Sequence, residues 1–287
     1  QRIGDLAWAA GDSRARGFLL GGTAGRTTLN GEGLQHEDGH SHLQAAMIPN
    51  CVSYDPTFHY ELAVIIQDGL RRMVQEQEDV FYYITVMNEN YGHPSLPKGA
   101  EAGILKGLYK LSEGAKAKGK AKKPRVQLMG SGTILREVMA AAELLEQDWG
   151  VAADVWSATS FNELRREAQE THRWNLLHPD KKQKTSYVEQ CLDDTEGPIV
   201  AATDYMRAYP DQIRPYVRKR YITLGTDGYG RSDSRQALRS FFEVDRHYVT
   251  LAALKALADD GVIPANKAAE AIKKYGLDAD RPNPVNA

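Results

Sequence analysis

This 287-residue sequence is poor in cysteine, in net charge and in long apolar runs. Its two cysteines, Cys51 and Cys191, are too few for a disulfide framework and form no C-x-x-C pair, which fits a reducing cytoplasm. A formal charge of −2 creates no field that would draw nucleic acid or a membrane surface. No apolar run approaches the roughly 20 residues that cross a bilayer, and no secretory leader pattern opens the chain. The opening, Gln1-Arg2-Ile3-Gly4-Asp5, has no initiating methionine and already follows a helical pattern, so a piece of a longer polypeptide is expected. With 42% hydrophobic and 26% charged residues, the composition is that of a globular protein with core enough for one large domain or two ordinary ones.

The fold class expected is α/β, two blocks of mostly parallel sheet flanked by helices. In the first block, Gly17–Gly22 reads as a short buried strand ending in a glycine turn. Met47–Tyr54 reads as a second strand, broken by Asp55-Pro56. Tyr60–Gln75 spaces Leu62, Ile65, Ile66, Leu70 and Met73 as an amphipathic helix, and Val80–Met87 is strongly β-prone. Strand, helix and strand at this spacing form a parallel βαβ unit. A connector follows, interrupted by Pro94, Pro97 and Gly99, and Gly114–Lys123 is a low-complexity basic insert. The insert reads either as a solvated surface loop or as a docking point for an acidic partner. The second block places strands at Val126–Gly132, Ala153–Ala158, Ile199–Ala202 and Tyr221–Gly225, with helices at Ile134–Asp148 and Phe161–Glu170. Its last third is helical over Ser234–Phe242, Tyr248–Asp260 and Ala265–Tyr275, the last two closed by Gly261 and Gly276. His172, Trp174 and His178 fall in a stretch of poor periodicity, expected to be a loop packed on its own aromatics.

Residues 31–42, Gly-Glu-Gly-Leu-Gln-His-Glu-Asp-Gly-His-Ser-His, hold three histidines, three acids and three glycines. With Leu34 as the single large apolar residue, neither a helical nor a strand period fits, so a tightly folded loop is expected. Three readings are open for it. His36, His40 and His42, with Glu32 or Glu37 as base, could ligate zinc, although Gly39 separates the imidazoles and no helix sets them on one face. A polar surface loop without a role is the second. The third is an organic active site in which imidazoles move protons or hold an anionic substrate. Gly130-Ser131-Gly132 and Gly225–Gly230 lack the Lys-Ser/Thr of a P-loop and do not complete G-x-G-x-x-G, so tight turns are expected. Asn88-Glu89-Asn90-Tyr91 lies at the carboxyl end of a strand, where open parallel sheets bind ligands, but also fits a plain turn. Neither cysteine has an activating pattern nearby.

The run from Gly21-Gly22-Thr23-Ala24-Gly25-Arg26 through Asn30-Gly31-Glu32-Gly33-Leu34-Gln35-His36-Glu37-Asp38-Gly39-His40-Ser41-His42 resembles the homodimeric bacterial pyruvate dehydrogenases. These are the thiamine-dependent first components of the pyruvate dehydrogenase complex. The likeness continues through Ile48-Pro49-Asn50-Cys51, Asn88–Tyr91, Gly130–Gly132, Arg173-Trp174-Asn175 and Gly225–Arg235, and so covers essentially the whole chain. The core Glu37-Asp38-Gly39-x-x-His42 is shared, more loosely, with transketolases.

The resemblance implies that residues 1–96 are the later part of a pyrimidine-binding domain and 97–287 a transketolase-type C-terminal domain. It implies an oxidoreductase that decarboxylates pyruvate on thiamine diphosphate with Mg²⁺. The two-carbon unit then passes to the lipoyl domain of a dihydrolipoyl acetyltransferase, the intact enzyme being a cytoplasmic homodimer. Glu32 and His36 match channel residues that act on substrate, and Asp38 and His42 match positions that contact the substrate's polar atoms. The family's diphosphate signature, Gly-Asp-Gly followed by a distant Asn, is absent here; Thr226-Asp227-Gly228 is its nearest imitation. The glutamate that activates the pyrimidine ring lies upstream in the family. A chain that carries part of the site, without tight cofactor binding or turnover of its own, is therefore expected. The alternatives are a non-catalytic dimerisation or assembly module, and a portion of a transketolase-like sugar enzyme, against which Asn30–His36 argues.

Overall fold

Apolar runs closed by glycine or proline become strands, and amphipathic stretches between them become helices, in a computed structural model that describes residues 2–116 and 123–287. Most of the basic insert, residues 117–122, lies outside the described residues. The first block comprises α1 (Arg2–Asp12), β1 (Phe18–Gly21), a 3-10 turn at Leu34–His36, α2 (Ser41–Met47), β2 (Cys51–Tyr54), α3 (His59–Leu70) and β3 (Phe81–Thr85). A π-helical turn, Arg71–Gln75, prolongs α3. The strands pair in the order β1-β3-β2, all parallel, with Tyr82 and Ile84 of the middle strand fully buried.

The second block comprises α4 (Glu101–Lys106), β4 (Tyr109–Ser112), β5 (Arg125–Gly130), α5 (Ile134–Trp149), β6 (Ala152–Ser157), α6 (Phe161–Leu177) and α7 (Tyr187–Leu192). It continues with β7 (Ile199–Ala202), α8 (Ala208–Asp211), β8 (Tyr221–Leu224), α9 (Arg235–Phe241), α10 (Arg246–Asp259) and α11 (Asn266–Tyr275). The order is β4-β6-β5-β7-β8, with β4 antiparallel on the edge and the remaining pairs parallel. Alternation along the inner strands divides their side chains between two cores. Val126, Leu128, Val200 and Ala202 pack under α5 and α10, while Met129, Ile199 and Ala201 join Phe161, Leu164 and Tyr209 on the other face. Caps fix the helix ends. Ser160 accepts the Glu163 N–H at the start of α6, Asp245 accepts those of His247 and Tyr248 at the start of α10, and Gly276 ends α11 in the left-handed region at φ 63°.

Four expectations need correction. β1, expected as a buried strand, lies on the edge of its sheet with Leu19 and Leu20 exposed. The connector after residue 97 contains α4 and β4, which hides in the sequence because an edge strand of four residues has little apolar content. The stretch holding His172 and Trp174 is helix, not loop. α6 runs on to Leu177, and Trp174 stacks on His178, just beyond it, at 4.3 Å between ring centroids. The loop 31–42 is partly helical, since Leu34–His36 forms a 3-10 turn and α2 starts at Ser41; β2 accordingly begins only at Cys51.

The carboxyl ends of the two sheets meet. The Asp55 N–H, just beyond β2, donates to Thr159 O beyond β6, and Gly132 N–H, beyond β5, donates to Asp55 O. Ser160 Oγ donates to Ser53 O at 2.6 Å.

Candidate active site

The loop after β1 passes along this junction. Residues 31–40 are held from behind by the second block: Gly31 N–H donates to Asp233 O at 3.0 Å, Arg231 N–H to Glu37 Oε2 at 2.7 Å, and Met206 N–H to Gly39 O at 2.9 Å. Gly39 leaves room for the Arg26 guanidinium, which a Cβ at that position would overlap and push aside. In front of the loop opens a cavity of about 830 Å³, walled by α1, the end of β1, α2 and β3, and lined by Leu20, Thr23, His36, Asp38, His40 and Tyr83 among others.

His36 and Asp38 therefore share one cavity. Asp38 is held rigidly: its Oδ1 accepts the N–H groups of His40 and Ser41, each at 3.0 Å, and its Oδ2 accepts the Ser41 hydroxyl. Glu37, between the two, is 6% exposed, and burial pushes its carboxyl up to about 6. Glu32 sits at the exposed start of the loop, and the cavity-lining residues do not include it.

His42 goes elsewhere. Its ring is fully buried, stacked on Tyr209 at 4.7 Å and flanked edge-on by Tyr205 and Tyr83. Burial pushes the imidazole down to about 4, so it is neutral at physiological pH. Its Nε2 lies 3.1 Å from Thr85 Oγ1, and Thr85 donates its own proton to Asp55 Oδ1 at 2.7 Å. With Asp55 ionised the threonine oxygen accepts, which puts the imidazole proton on Nε2; Nδ1 is buried without a partner. With His42 enclosed, the three histidines do not converge. Among the described residues no group of three or more His, Cys, Asp or Glu could hold a metal ion.

Two buried carboxyls escaped the sequence reading. Asp55 accepts from Thr85 and from Ser131 Oγ, the latter at 2.9 Å, and Ser131 Oγ in turn lies 2.9 Å from Thr203 Oγ1. Asp204 accepts Thr27 N–H at 3.1 Å through Oδ2 and leaves Oδ1 without a partner. Burial pushes both carboxyls up to about 7. Each directly follows a strand, or a strand and one threonine, and that position at the carboxyl end was the signal available.

Asn88–Tyr91 ties the blocks together. Glu89 accepts from Thr133 Oγ1 at 2.9 Å, from Arg136 at 2.5 Å and from Arg239, and these arginines hold its carboxyl below the usual range. Tyr91 lies under the Arg136 guanidinium at 4.4 Å. Gly130–Gly132 is a turn whose serine joins the Asp55 network, and in Gly225–Gly230 Asp227 is engaged by Arg207.

Comparison with known proteins places the architecture. Residues 1–94 match the family described as pyruvate dehydrogenase E1 component middle domain, and residues 107–245 the transketolase-like C-terminal domain. The pyruvate dehydrogenase E1 component of Pseudomonas aeruginosa is 65% identical over 287 residues, which is 100% of this chain and 32% of that protein. Its counterpart in Cupriavidus necator is 64% identical over 286 residues, again 100% and 32%. That of Escherichia coli K12 is 58% identical, over 99% of this chain and 32% of that protein. The chain thus spans about a third of the length of the curated relatives it matches. Among solved structures, transketolase from Campylobacter jejuni superposes with a TM-score of 0.64 at 16% identity, covering 87% of this chain and 33% of its own. A split-gene transketolase described as an inactive beta4 tetramer superposes at 0.53 with 15% identity, covering 84% of this chain and 66% of its own. These two likenesses are of fold alone.

Proposed function

Because this chain belongs to the pyruvate dehydrogenase E1 component family, of whose members it spans about a third, we propose that it supplies the substrate-facing wall of such an enzyme. The intact enzyme, an oxidoreductase of the cytoplasm, would decarboxylate pyruvate with thiamine diphosphate and Mg²⁺. It would then reductively acetylate the lipoyl domain of a dihydrolipoyl acetyltransferase. Residues 1–96 would be the later part of its pyrimidine-binding domain and 97–287 its transketolase-type C-terminal domain.

The observation that carries this reading is the shared placement of His36 and Asp38 on one cavity wall. Pyruvate is a small anion with an adjacent ketone. An imidazole facing it can donate to the carboxylate or carbonyl oxygen and exchange a proton as charge develops. Asp38, locked by Ser41, gives that imidazole a fixed polar neighbour. Glu32 would act from the mouth of the same loop once the rest of the enzyme is in place. His42, sealed among tyrosines, would position α2 rather than touch substrate.

The diphosphate and Mg²⁺ of the cofactor do not fit the residues present. Asp227, in the nearest imitation of the signature, is occupied by Arg207, and the described residues offer no carboxylate and histidine cluster for a cation. No step through the cofactor is derived for this chain. Calorimetric titration of thiamine diphosphate with Mg²⁺ into the chain should show no micromolar binding; such binding overturns the partial-site reading. In the full-length enzyme, His36→Ala should lower pyruvate-dependent acetyl transfer by roughly 100-fold. Unchanged transfer refutes the assignment.

A second reading, an assembly module without catalytic residues, is supported by exposed apolar side chains on α1 (Ile3, Leu6, Trp8) and on the open edge strand β1 (Leu19, Leu20). Sedimentation of the chain alone as a dimer, together with tolerance of substitutions at His36, would favour it.

A further inference from the structure

Behind the cavity wall, the loop Gly228–Arg231 of the second block presses against Gln35–Asp38. Gly230 comes so close that a Cβ there would overlap the Leu34 carbonyl and approach the Glu37 Cβ to 2.9 Å. Among the described residues, the side chain of the wall segment that crosses this contact with a hydrogen bond is that of Glu37, whose Oε2 receives the Arg231 N–H at 2.7 Å. We propose that Glu37, which itself also lines the cavity, is a positioning residue: it fastens the Gly228–Arg231 loop to the wall segment that carries His36 and Asp38.

A carboxylate accepting a backbone N–H in a dry contact makes a strong, directional bond, and the chain neighbours of its residue move with it. Glu37 is flanked in sequence by the two cavity residues, so anchoring its side chain fixes the backbone from which both project. Its Oε1 is buried without a partner, and the Nε of Arg26 nearby is likewise unpaired, so the bond to Arg231 is the anchor of this side chain. The charged group facing it is Arg26, from the loop after β1, on which Asp38 also bears. Arg231 turns its guanidinium away to the Ala287 carbonyl, and Asp204 and Asp227 bear on Arg26. Burial outweighs these contacts and raises the carboxyl, so the anchor weakens on acidification through about 6. That the fixed side chains act on pyruvate rests on the reading above; the anchoring does not.

Amide hydrogen exchange, corrected for intrinsic rate, tests the anchor in this chain. Glu37→Ala should speed exchange at the Arg231 N–H roughly tenfold or more, and at the His36 N–H with it. Glu37→Gln, whose uncharged amide oxygen still accepts, should hold protection at the level the wild type keeps at pH 5, above that of Glu37→Ala, and should show no further loss between pH 7.5 and 5. Gly230→Ala, which keeps the carboxyl but displaces the loop, should loosen His36 as well, and it decides the matter if Glu37→Ala does not fold. Wild-type protection in Glu37→Ala, or at His36 in Gly230→Ala, overturns the proposal, and so does a Glu37→Gln protein indistinguishable from Glu37→Ala. In the full-length enzyme, Glu37→Ala should lower kcat and Glu37→Gln restore it. Wild-type kcat with a loosened wall sinks the positioning role, whereas full activity of His36→Ala with an intact wall sinks the functional reading alone.

Discussion

Replacing Asp55 by Asn isolates the contribution of a carboxyl sealed at the junction of the two sheets. In the folded chain this group titrates near 7, against 3.8 for the free side chain. Its proton is thus bound more tightly in the native state, and stability falls as pH rises from about 4 to about 7. At about 1.36 kcal/mol per pH unit, the charged form costs the fold about 4 kcal/mol once pH passes neutrality, of which about 2 to 3 kcal/mol is lost between pH 5 and 8. Asparagine fits the same hydrogen bonds: its oxygen can accept from Thr85, and its amide can donate to Ser131, whose hydroxyl then turns to Thr203. No polar atom is orphaned and no charge can form. Urea unfolding of both proteins from pH 5 to 8, with matching m-values, measures the difference. The variant should gain about 2 to 3 kcal/mol on the wild type across that range, chiefly below pH 7. Parallel stability curves would show that Asp55 is charged in the native state, and the burial argument would fail.

Two further substitutions probe the same junction. His42, held down near 4 against 6.5 when free, makes stability fall as pH drops through that interval, by roughly 3 kcal/mol in all; His42→Gln should flatten the acid limb of the unfolding profile even though it loses ring packing at neutral pH. Glu89→Ala removes the carboxylate that Arg239, 6% exposed, engages most closely and leaves it Glu137 at 3.6 Å; it should cost about 3 kcal/mol in urea unfolding at pH 7, with Glu89→Gln costing less.

The parts of the fold legible in the sequence are those whose signal is local. β1, β3, β5 and β7 are apolar runs bounded by glycine, proline or polar turns; α5 and α11 repeat their apolar residues with a helical period, α10 is a continuous Ala- and Leu-rich run, and all three end at or near glycine. The elements that escaped are short or lie on the surface. α2 has seven residues, β4 has four, and the last turns of α6 expose Leu176 and Leu177, so no periodic face distinguishes them from loop. The site followed the same division. Its histidines and acids are conspicuous as a cluster, and two of them, His36 and Asp38, line the cavity. What separates His42 from them is tertiary: the tyrosines that enclose its ring come from β3 and from the chain around α8, more than 40 and 160 residues away in sequence. Asp55, Asp204 and Glu37 look like ordinary polar residues until their partners, more than 70 residues distant in each case for at least one contact, close over them.

The meeting of the two sheets at their carboxyl ends also bears on inheritance. Two family descriptions divide this sequence, but its hydrogen bonds are shared across the division: Asp55 with Ser131, Glu89 with Arg239, Thr27 with Asp204. A chimera that joins one half to a distant relative's other half must bring both members of the Asp55–Ser131 and Glu89–Arg239 pairs from the same parent, whereas any residue but proline at 27 supplies the N–H that Asp204 accepts. The two halves are thus interchangeable between relatives only as a matched pair at those positions.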